Sequence, residues 1–257
     1  MKLPTELLRK VERRLARVRE RRVINLNFDQ GIVCFTFDDA RRSACNHGAA
    51  LLENYGARGT FYISGGLTGT DVNHTTADIV RLADAGHEIG CHGFAHRSYQ
   101  SFNESEILAD LAANRAFFKH LSCSVPKNFS YPFGHVSPFA KRVLTSKFNS
   151  LRGISPGINH GATDLALLKS FALYGHRWTE AEIDELLLRN ARLRGLLMFF
   201  THGVTKSPGE FDCSTKLLDF AIRRALASSN KVMTVQSALD TNSTALKASN
   251  SSMSASR

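Results

Sequence analysis

The chain has 257 residues, of which 43% are hydrophobic and 22% are charged, and this balance excludes an intrinsically disordered protein. No apolar stretch approaches the length of about 18 residues that a membrane-spanning helix needs. The length suits a single α/β barrel, because such barrels contain about 250 residues.

The cysteines indicate the compartment. The chain has five of them, an odd number, and none forms a Cys-x-x-Cys pair, which disfavours a disulfide framework. A secretory leader, with a basic start, an apolar run and a small-residue cleavage site, is not recognisable at the beginning of the sequence. We therefore expect a reducing, cytoplasmic compartment.

The positive charge is concentrated at the start of the chain. Residues 1–22 contain nine basic and three acidic side chains, which is +6 of the formal net charge of +10. Apolar residues recur there at helical spacing, which predicts a basic amphipathic helix over residues 4–22, within an N-terminal segment 1–24. This helix either docks its leucines over the floor of the domain or associates peripherally with an anionic membrane at its inner face. No aromatic residues alternate with the arginines, so we expect no nucleic-acid partner.

Strand-like and helix-like segments alternate after a connector at Asn25–Asp29. The predicted strands are Ile32–Phe37, Gly59–Ile63, Glu88–Cys91, Phe129–Tyr131, Leu151–Ile154, Phe171–Tyr174, Leu196–Thr201 and Val232–Val235. The predicted helices are Ser43–Tyr55, Ala77–Ala85, Glu104–Leu121, Pro138–Ser146, Thr179–Leu193 and Ser214–Ser228. This alternation is typical of parallel strands joined by crossover helices, in a closed barrel or in an open doubly wound sheet. Residues 241–257 are rich in Ser, Thr, Ala and Asn, which predicts a disordered tail.

Ionisable residues follow three of the predicted strands. Asp38 and Asp39 follow the first, His92 and His96 follow the third, and His202 follows the seventh. In a parallel barrel the carboxyl ends of the strands meet at one mouth, where active sites form. Two histidines and a carboxylate are the ligand set of a hydrolytic zinc site, and a further histidine suits a general acid. Each motif alone is also typical of turn, capping or loop residues, so their shared placement is what predicts an active site.

The order of these motifs resembles the polysaccharide deacetylase family, which includes the nodulation-type chitooligosaccharide deacetylases. The resemblance rests on Thr-Phe-Asp-Asp at 36–39, His-x-x-x-His at 92–96, Tyr-Pro-Phe-Gly at 131–134 and Phe-Thr-His at 200–202. It covers roughly residues 31–239 and implies a distorted barrel of about seven parallel strands, with a catalytic domain over residues 25–240. The implied activity is metal-dependent removal of acetyl groups from an N-acetylated saccharide, or, less favoured, from an O-acetylated one.

The resemblance also implies roles for individual residues. Asp39, His92 and His96 would bind a divalent metal, usually Zn²⁺. Asp38 would be the general base, acting on metal-activated water, and His202 would be the general acid. The oxyanion site and the substrate pocket would be formed by Phe133, through its backbone N–H, and by Tyr131, Phe200 and Trp178.

The sequence departs from the family pattern at two positions. Gly93 stands where the family usually has Ser or Thr, so a hydrogen bond to the loop is expected to be missing. Ser130 stands where many members have an arginine that pairs with the catalytic base, and Arg152 on the neighbouring predicted strand is the candidate substitute. Asp164 is the candidate carboxylate partner of His202. The alternative hypotheses are a catalytically silent barrel that binds a glycan or a protein partner, and a related hydrolase of non-peptide C–N bonds.

Overall fold

The computed structural model of the protein describes residues 5–242. The first predicted residue of the N-terminal helix and nearly all of the predicted tail lie outside these residues. Within them, no helix has the length and the apolar character needed to cross a membrane.

The elements alternate largely as the sequence predicts. The strands are β1 (Val23–Leu26), β2 (Gly31–Asp38), β3 (Thr60–Ile63), β4 (Glu88–Cys91), β5 (Asn128–Ser130), β6 (Ser150–Arg152), β7 (Gly161–Asp164), β8 (Phe171–Ala172), β9 (Leu196–Thr201), β10 (Val204–Thr205), β11 (Cys213–Ser214) and β12 (Asn230–Val232). The helices are α1 (Thr5–Ala16), α2 (Ala49–Asn54), α3 (Thr76–Asp84), α4 (Glu104–His120), α5 (Pro138–Thr145), α6 (Glu180–Leu193), α7 (Thr215–Ala227) and α8 (residues 235–242). The helix predicted from Ser43 begins as a π-helical turn, Ala44–Gly48, that leads into α2.

The main sheet is parallel and curled. Seven strands follow one another in the order β6-β5-β4-β3-β2-β9-β8, and β12 pairs with the first half of β2. The segment before β8 approaches the other end of this path, because Leu168 N donates to Leu151 O (2.8 Å) and Gly153 N donates to Leu168 O (2.9 Å). The predicted distorted barrel of about seven parallel strands is confirmed.

Alternate residues of β2 pack on opposite sides of the sheet. Phe35 and Phe37 pack under the surrounding helices, whereas Ile32 and Cys34 pack inside the barrel. Burial of each large apolar side chain contributes roughly 1.5–3 kcal/mol, which fixes the facing of the strand. Since Asp38 has the same parity as Ile32 and Cys34, its side chain lies on the inner side at the carboxyl end of the strand.

Helix α8 closes the opposite end of the barrel. Val235 N donates to Thr60 Oγ1 (3.0 Å), and Gln236 N donates to the carboxylate of Glu88 (2.8 Å). The helix continues to Asn242, so the predicted domain end at 240 and the predicted tail start at 241 both fall inside it. The open mouth is therefore at the end where Asp38 lies.

The N-terminal segment packs against the side of the barrel, not over its floor. Helix α1 lies along α5, where the buried Lys141 Nζ donates to Ala16 O (2.7 Å), Arg19 O (3.0 Å) and Asp164 Oδ2 (2.6 Å). The predicted connector at Asn25–Asp29 begins inside a strand, because β1 pairs antiparallel with β7. Both differences arise from partners more than a hundred residues away in the chain, which local periodicity does not reveal.

Replacing Lys141 with Met should lower the free energy of unfolding by about 3 kcal/mol, because it leaves Asp164 and two carbonyl oxygens without their charged donor. Urea unfolding followed by circular dichroism measures the loss. The control is Arg224→Met, which removes an ion pair with Asp184 at the surface and should cost far less. Equal losses in the two variants would show that Lys141 does not anchor the N-terminal segment.

Candidate active site

The carboxylate of Asp38 is only 4% exposed and lies inside the barrel mouth. Arg152, at the end of β6, donates hydrogen bonds from Nη2 to both of its carboxylate oxygens. The guanidinium lies over the rings of Phe200 and Tyr62, 4.8 and 5.3 Å from their centroids. Burial is the largest single influence and would raise the pKa of Asp38, but the charge and hydrogen bond of Arg152, together with the contributions of His92 and His202, hold that pKa below its ordinary value. Asp38 is therefore a buried, ionised carboxylate.

Arg152 takes the place of the arginine that the family pattern puts at residue 130. Ser130 and Arg152 are register partners in β5 and β6, so their side chains lie side by side. The Nη2 of Arg152 also donates to Ser130 Oγ, and Ser130 Oγ donates to Asp38 Oδ1 (3.3 Å). The short serine leaves room for the long side chain of its neighbour, and the charge reaches Asp38 from one strand further along the sheet.

A cluster of three potential metal ligands lies next to Asp38. Asp39, His92 and His96 each offer one ligand atom, and these atoms lie within 4.8 Å of one another. The Nε2 atoms of His96 and His92 are 3.0 and 3.7 Å from Asp39 Oδ1. That oxygen is buried and has no hydrogen-bond donor of adequate geometry among the described residues. Two imidazole nitrogens and one unsatisfied carboxylate oxygen fit a divalent cation.

The two histidines are held in the form that binds metals. His92 Nδ1 donates to Ser130 O (2.8 Å), so its Nε2 carries the free lone pair. Burial lowers the pKa of His92 to about 3, and burial also lowers the pKa of His96. Burial raises the pKa of Asp39 to about 6. The imidazoles are therefore neutral at physiological pH, as ligation requires.

The backbone is strained at the residues that form the site. Asp39, Ala40, His96 and Phe133 have φ values of 56°, 43°, 47° and 59°, in the left-handed region that residues with a side chain avoid. The turn at Asp39 is held by the fully buried His74, whose Nδ1 donates to Asp39 O (2.9 Å). The sequence analysis missed His74, because no motif includes it.

Asp110 of α4 holds the loop that carries His96. Its carboxylate accepts hydrogen bonds from Phe94 N (2.8 Å) and Ala95 N (2.9 Å). Gly93 has a φ of 74°, and a Cβ at this residue would lie 2.9 Å from Asp110 Oδ2. The hydrogen bonds of Asp110 thus take the place of the one expected to be missing at Gly93. In the sequence, Asp110 is recognisable only as a polar residue of a predicted helix.

One cavity of about 510 Å³ is lined by both carboxylates and by three histidines: Asp38, Asp39, His92, His96 and His202. Phe133 and Phe200 line it too. Its wall also contains four residues that the sequence analysis missed: Arg41, Tyr174, Arg177 and Phe211. Arg41 follows β2, Tyr174 and Arg177 follow β8, and Phe211 lies between β10 and β11, so none of the four belongs to a motif of ionisable residues at a predicted strand end. The cavity can thus hold a polar substrate between a carboxylate, a metal-ligand cluster and aromatic walls.

Two predicted pocket residues lie outside the cavity wall. Tyr131 is buried, with its hydroxyl 3.4 Å from Ala166 O, because it follows Ser130 and therefore faces the other way. Trp178 donates from Nε1 to Ala172 O (2.6 Å) and packs against the outer side of β9.

His202 lies at the mouth after β9. Its Nε2 is 3.9 Å from Asp39 Oδ2, and its Nδ1 faces the carbonyl oxygen of Phe211 at 3.3 Å. Asp164 is not its partner, since that carboxylate is bound to Lys141 beside α1. A backbone carbonyl therefore orients the imidazole where the sequence analysis expected a carboxylate.

Comparison with known proteins agrees with this arrangement. Residues 20–147 match the family described as Polysaccharide deacetylase. The chain belongs to the polysaccharide deacetylase family. It is 30% identical over 174 residues to a bifunctional xylanase/deacetylase from Pseudobutyrivibrio xylanivorans. That alignment covers 62% of this chain and 28% of the relative, so the chain spans less than a third of the length of this curated protein.

Solved structures share the fold of this family member. A T48 deacetylase with substrate superposes with a TM-score of 0.59 at 16% identity, over 82% of this chain and 92% of that one. A family 4 acetyl xylan esterase from Clostridium thermocellum, in complex with a cobalt ion, gives a TM-score of 0.56 at 19% identity, over 81% and 90% of the two chains.

The ligand cluster predicts a pattern of metal binding. We expect about one divalent cation per chain after dialysis against zinc, and His96→Ala should lower this to roughly a tenth because one of three ligands is lost. Asp38→Asn should leave the metal content unchanged, since Asp38 is bound to Arg152. Elemental analysis of the dialysed proteins measures the content, with the exposed His160→Ala as the matched control. Full metal content in His96→Ala would show that the cation binds elsewhere.

Proposed function

We propose that this polysaccharide deacetylase family member is a metal-dependent hydrolase that removes acetyl groups from an N-acetylated saccharide. An O-acetylated saccharide is the less favoured substrate. The observation that carries the proposal is that the ionised Asp38 and the ligand cluster of Asp39, His92 and His96 line one cavity. Zn²⁺ is the proposed cation, because a site with two imidazoles and one carboxylate suits zinc and leaves a position open for water or substrate.

Asp38 would act as the general base. A zinc ion in the cluster would supply a Lewis acid that polarises the acetyl carbonyl and lowers the pKa of water from about 15.7 to about 7. Asp38 would accept the proton of the water that attacks the acetyl carbon. Arg152 supports this role because its charge and its hydrogen bonds to both carboxylate oxygens favour the ionised form of the buried Asp38.

His202 would act as the general acid. It lies on the mouth side of the cavity, where a departing amine could take a proton from its imidazole. An amine leaving group needs this proton more than an alcohol does, which favours the N-acetylated substrate. The backbone N–H of Phe133 would bind the oxyanion, and the ring of Phe200 would wall the pocket of the acetyl methyl group.

The hypothesis of a catalytically silent barrel is no longer supported. Its support in the sequence was the absence of an arginine at Ser130, and Arg152 reaches Asp38 in its place. A hydrolase of cyclic amides is also disfavoured, because such relatives often lose metal ligands and here all three candidates are present. We therefore propose no second function.

Acetate release should depend on both the cation and Asp38. We expect a screen of N-acetylated chitooligosaccharides and O-acetylated xylooligosaccharides to yield acetate, with activity lost on chelation and restored by zinc. Asp38→Asn should lower kcat at least 1000-fold, roughly the size of effect known for removing a catalytic group, while metal content stays the same. Acetate release that is indifferent to chelation, or undiminished in Asp38→Asn, would overturn the proposed mechanism.

The role of Arg152 has its own signature in the pH profile. Arg152→Met should lower kcat/KM at neutral pH by roughly 100-fold, because burial without the arginine raises the pKa of Asp38 and protonates the base. Activity should recover as the pH rises from 6 to about 9, whereas wild type keeps an ionised base throughout that range. The control Ser130→Ala removes the two hydrogen bonds of the Ser130 hydroxyl but leaves the charge of Arg152 at Asp38, so it should lower kcat/KM much less.

A charge-exchange variant separates position from charge. In Ser130→Arg/Arg152→Ser the arginine returns to β5, next to its present position in the sheet register. The kcat/KM of this double variant at neutral pH should be at least tenfold higher than that of Arg152→Ser alone. The acid limb of its pH profile should shift back towards that of wild type. A double variant as inactive as the single one would show that Arg152 has a role beyond its charge at Asp38.

A further inference from the structure

A second cavity of about 440 Å³ lies beside the active-site cavity, and its wall is strongly basic. Lys10, Arg13, Arg14 and Arg17 line it from one side. Their spacing of three, four and seven residues puts them on one face of α1 and of the turn that follows it. No aspartate or glutamate is among the described residues that line this basic cavity.

The basic cavity and the active-site cavity share two wall residues, Gly134 and Ile154. Phe133 of the active-site cavity lies 4.6 Å from His96 on one side and 5.5 Å from His135, the residue after Gly134, on the other. A ligand that enters the mouth can therefore extend past Gly134 and Ile154 to the cations without leaving the surface of the protein.

Helix α1 is fixed at this place from both ends. Gln100 Nε2, in the loop after β4, donates to Arg9 O (2.7 Å). Lys141 binds the carbonyls of Ala16 and Arg19 at the other end. The positive charge thus has a fixed position relative to the active site, and it is the packing of α1 along α5 that sets this position.

The four cations have no carboxylate partner in the described part of the chain. None of the four has a carboxylate within 4.0 Å among the side chains that the structure describes, although Arg17 Nη2 approaches Ser155 Oγ at 3.5 Å. Arginine forks bind phosphate and carboxylate groups with two parallel hydrogen bonds. Four clustered cations that have no carboxylate partner among the described side chains therefore favour an anionic ligand.

We propose that the basic cavity is a substrate subsite for an anionic group, a phosphate or a carboxylate, that is carried by the acetylated saccharide. This inference rests on the proposed deacetylase function and adds the substrate class to it. The acetyl group lies at the metal-ligand cluster, and the charged group of the same molecule lies against α1. The basic helix was predicted to lie over the floor of the domain or at a membrane, whereas α1 carries its cations to a cavity beside the active site.

The main test compares neutral and charged forms of one substrate. The probes are the acetylated tetrasaccharide that gives the most acetate in the screen and the same tetrasaccharide with a phosphate or a carboxylate on a terminal sugar. The triple variant Lys10→Gln/Arg13→Gln/Arg14→Gln should raise KM for the charged probes by roughly tenfold or more, with kcat and the KM of the neutral probe unchanged. The phosphate and carboxylate arms show which anion the subsite prefers.

The control removes the same number of charges elsewhere. Arg189→Gln/Arg192→Gln/Lys231→Gln changes exposed residues on α6 and β12, away from the mouth, and should leave KM for the charged probes unchanged. Raising NaCl from 50 to 300 mM should raise KM for the charged probes in wild type and in the control protein, but not in the triple variant. Equal KM values for neutral and charged probes in wild type would overturn the inference while leaving the deacetylase proposal intact.

A binding measurement decides the inference even if no saccharide is deacetylated. Calorimetric titration with inorganic pyrophosphate should give a Kd about tenfold weaker in the triple variant than in wild type and the control; any contribution of a bound cation is common to the three proteins. Identical binding in all three would overturn the subsite. If wild type sediments with phosphatidylglycerol vesicles and the triple variant does not, while KM is the same in both, these cations would be assigned to a membrane surface instead.

Discussion

The site depends on one buried ion pair, between Asp38 and Arg152. Bringing either charge alone into the barrel would cost several kcal/mol, so each requires the other to be present in the mouth. The pair is enclosed by Tyr62 and Phe200, which exclude water and lower the local dielectric. The placement of the neighbouring groups follows from this interaction. Ser130 must be small to admit the guanidinium, and the backbone carbonyl of the same residue orients His92.

Much of the local conformational cost of the fold is concentrated where the ligands are. Four of the non-glycine residues with positive φ form the mouth, and polar side chains from outside the motifs hold two of the segments that carry them. His74 holds the turn at Asp39, and Asp110 holds the loop before His96. Such strain persists only when the surroundings over-determine the conformation, which is the expected arrangement for a preorganised ligand set.

The sequence predicts the strands and the ionisable residues of the mouth because both depend on local patterns. Alternation and strand ends suffice to bring Asp38, Asp39 and His202 to one edge of a parallel sheet. Other features depend on which strands are neighbours and in what register. The pairing of β5 with β6, which puts Arg152 at Asp38, and that of β1 with β7 are of this kind.

The position of α1 belongs with these nonlocal features. The periodicity of its apolar residues predicts a helix but not the surface that it covers. That surface is decided by Lys141, a single buried amine that reads in the sequence as an ordinary charged residue. The sequence therefore shows where the basic residues of α1 lie along the chain, but only the tertiary packing shows where they lie relative to the active site.

The boundary between the two cavities is a matter of side-chain volume. Gly134 has a φ of 63°, and a Cβ there would lie 2.3 Å from Ile154 Cγ1, so the two residues already touch across the passage. Neither carries a functional group. A larger or smaller side chain at residue 154 would therefore shorten or lengthen the groove along which a glycan lies. The number of sugars that the groove accommodates would change, but no group that performs the reaction would. Substrate length and catalytic chemistry are separable properties of this mouth, and relatives with the same reactive residues can diverge in the first while conserving the second.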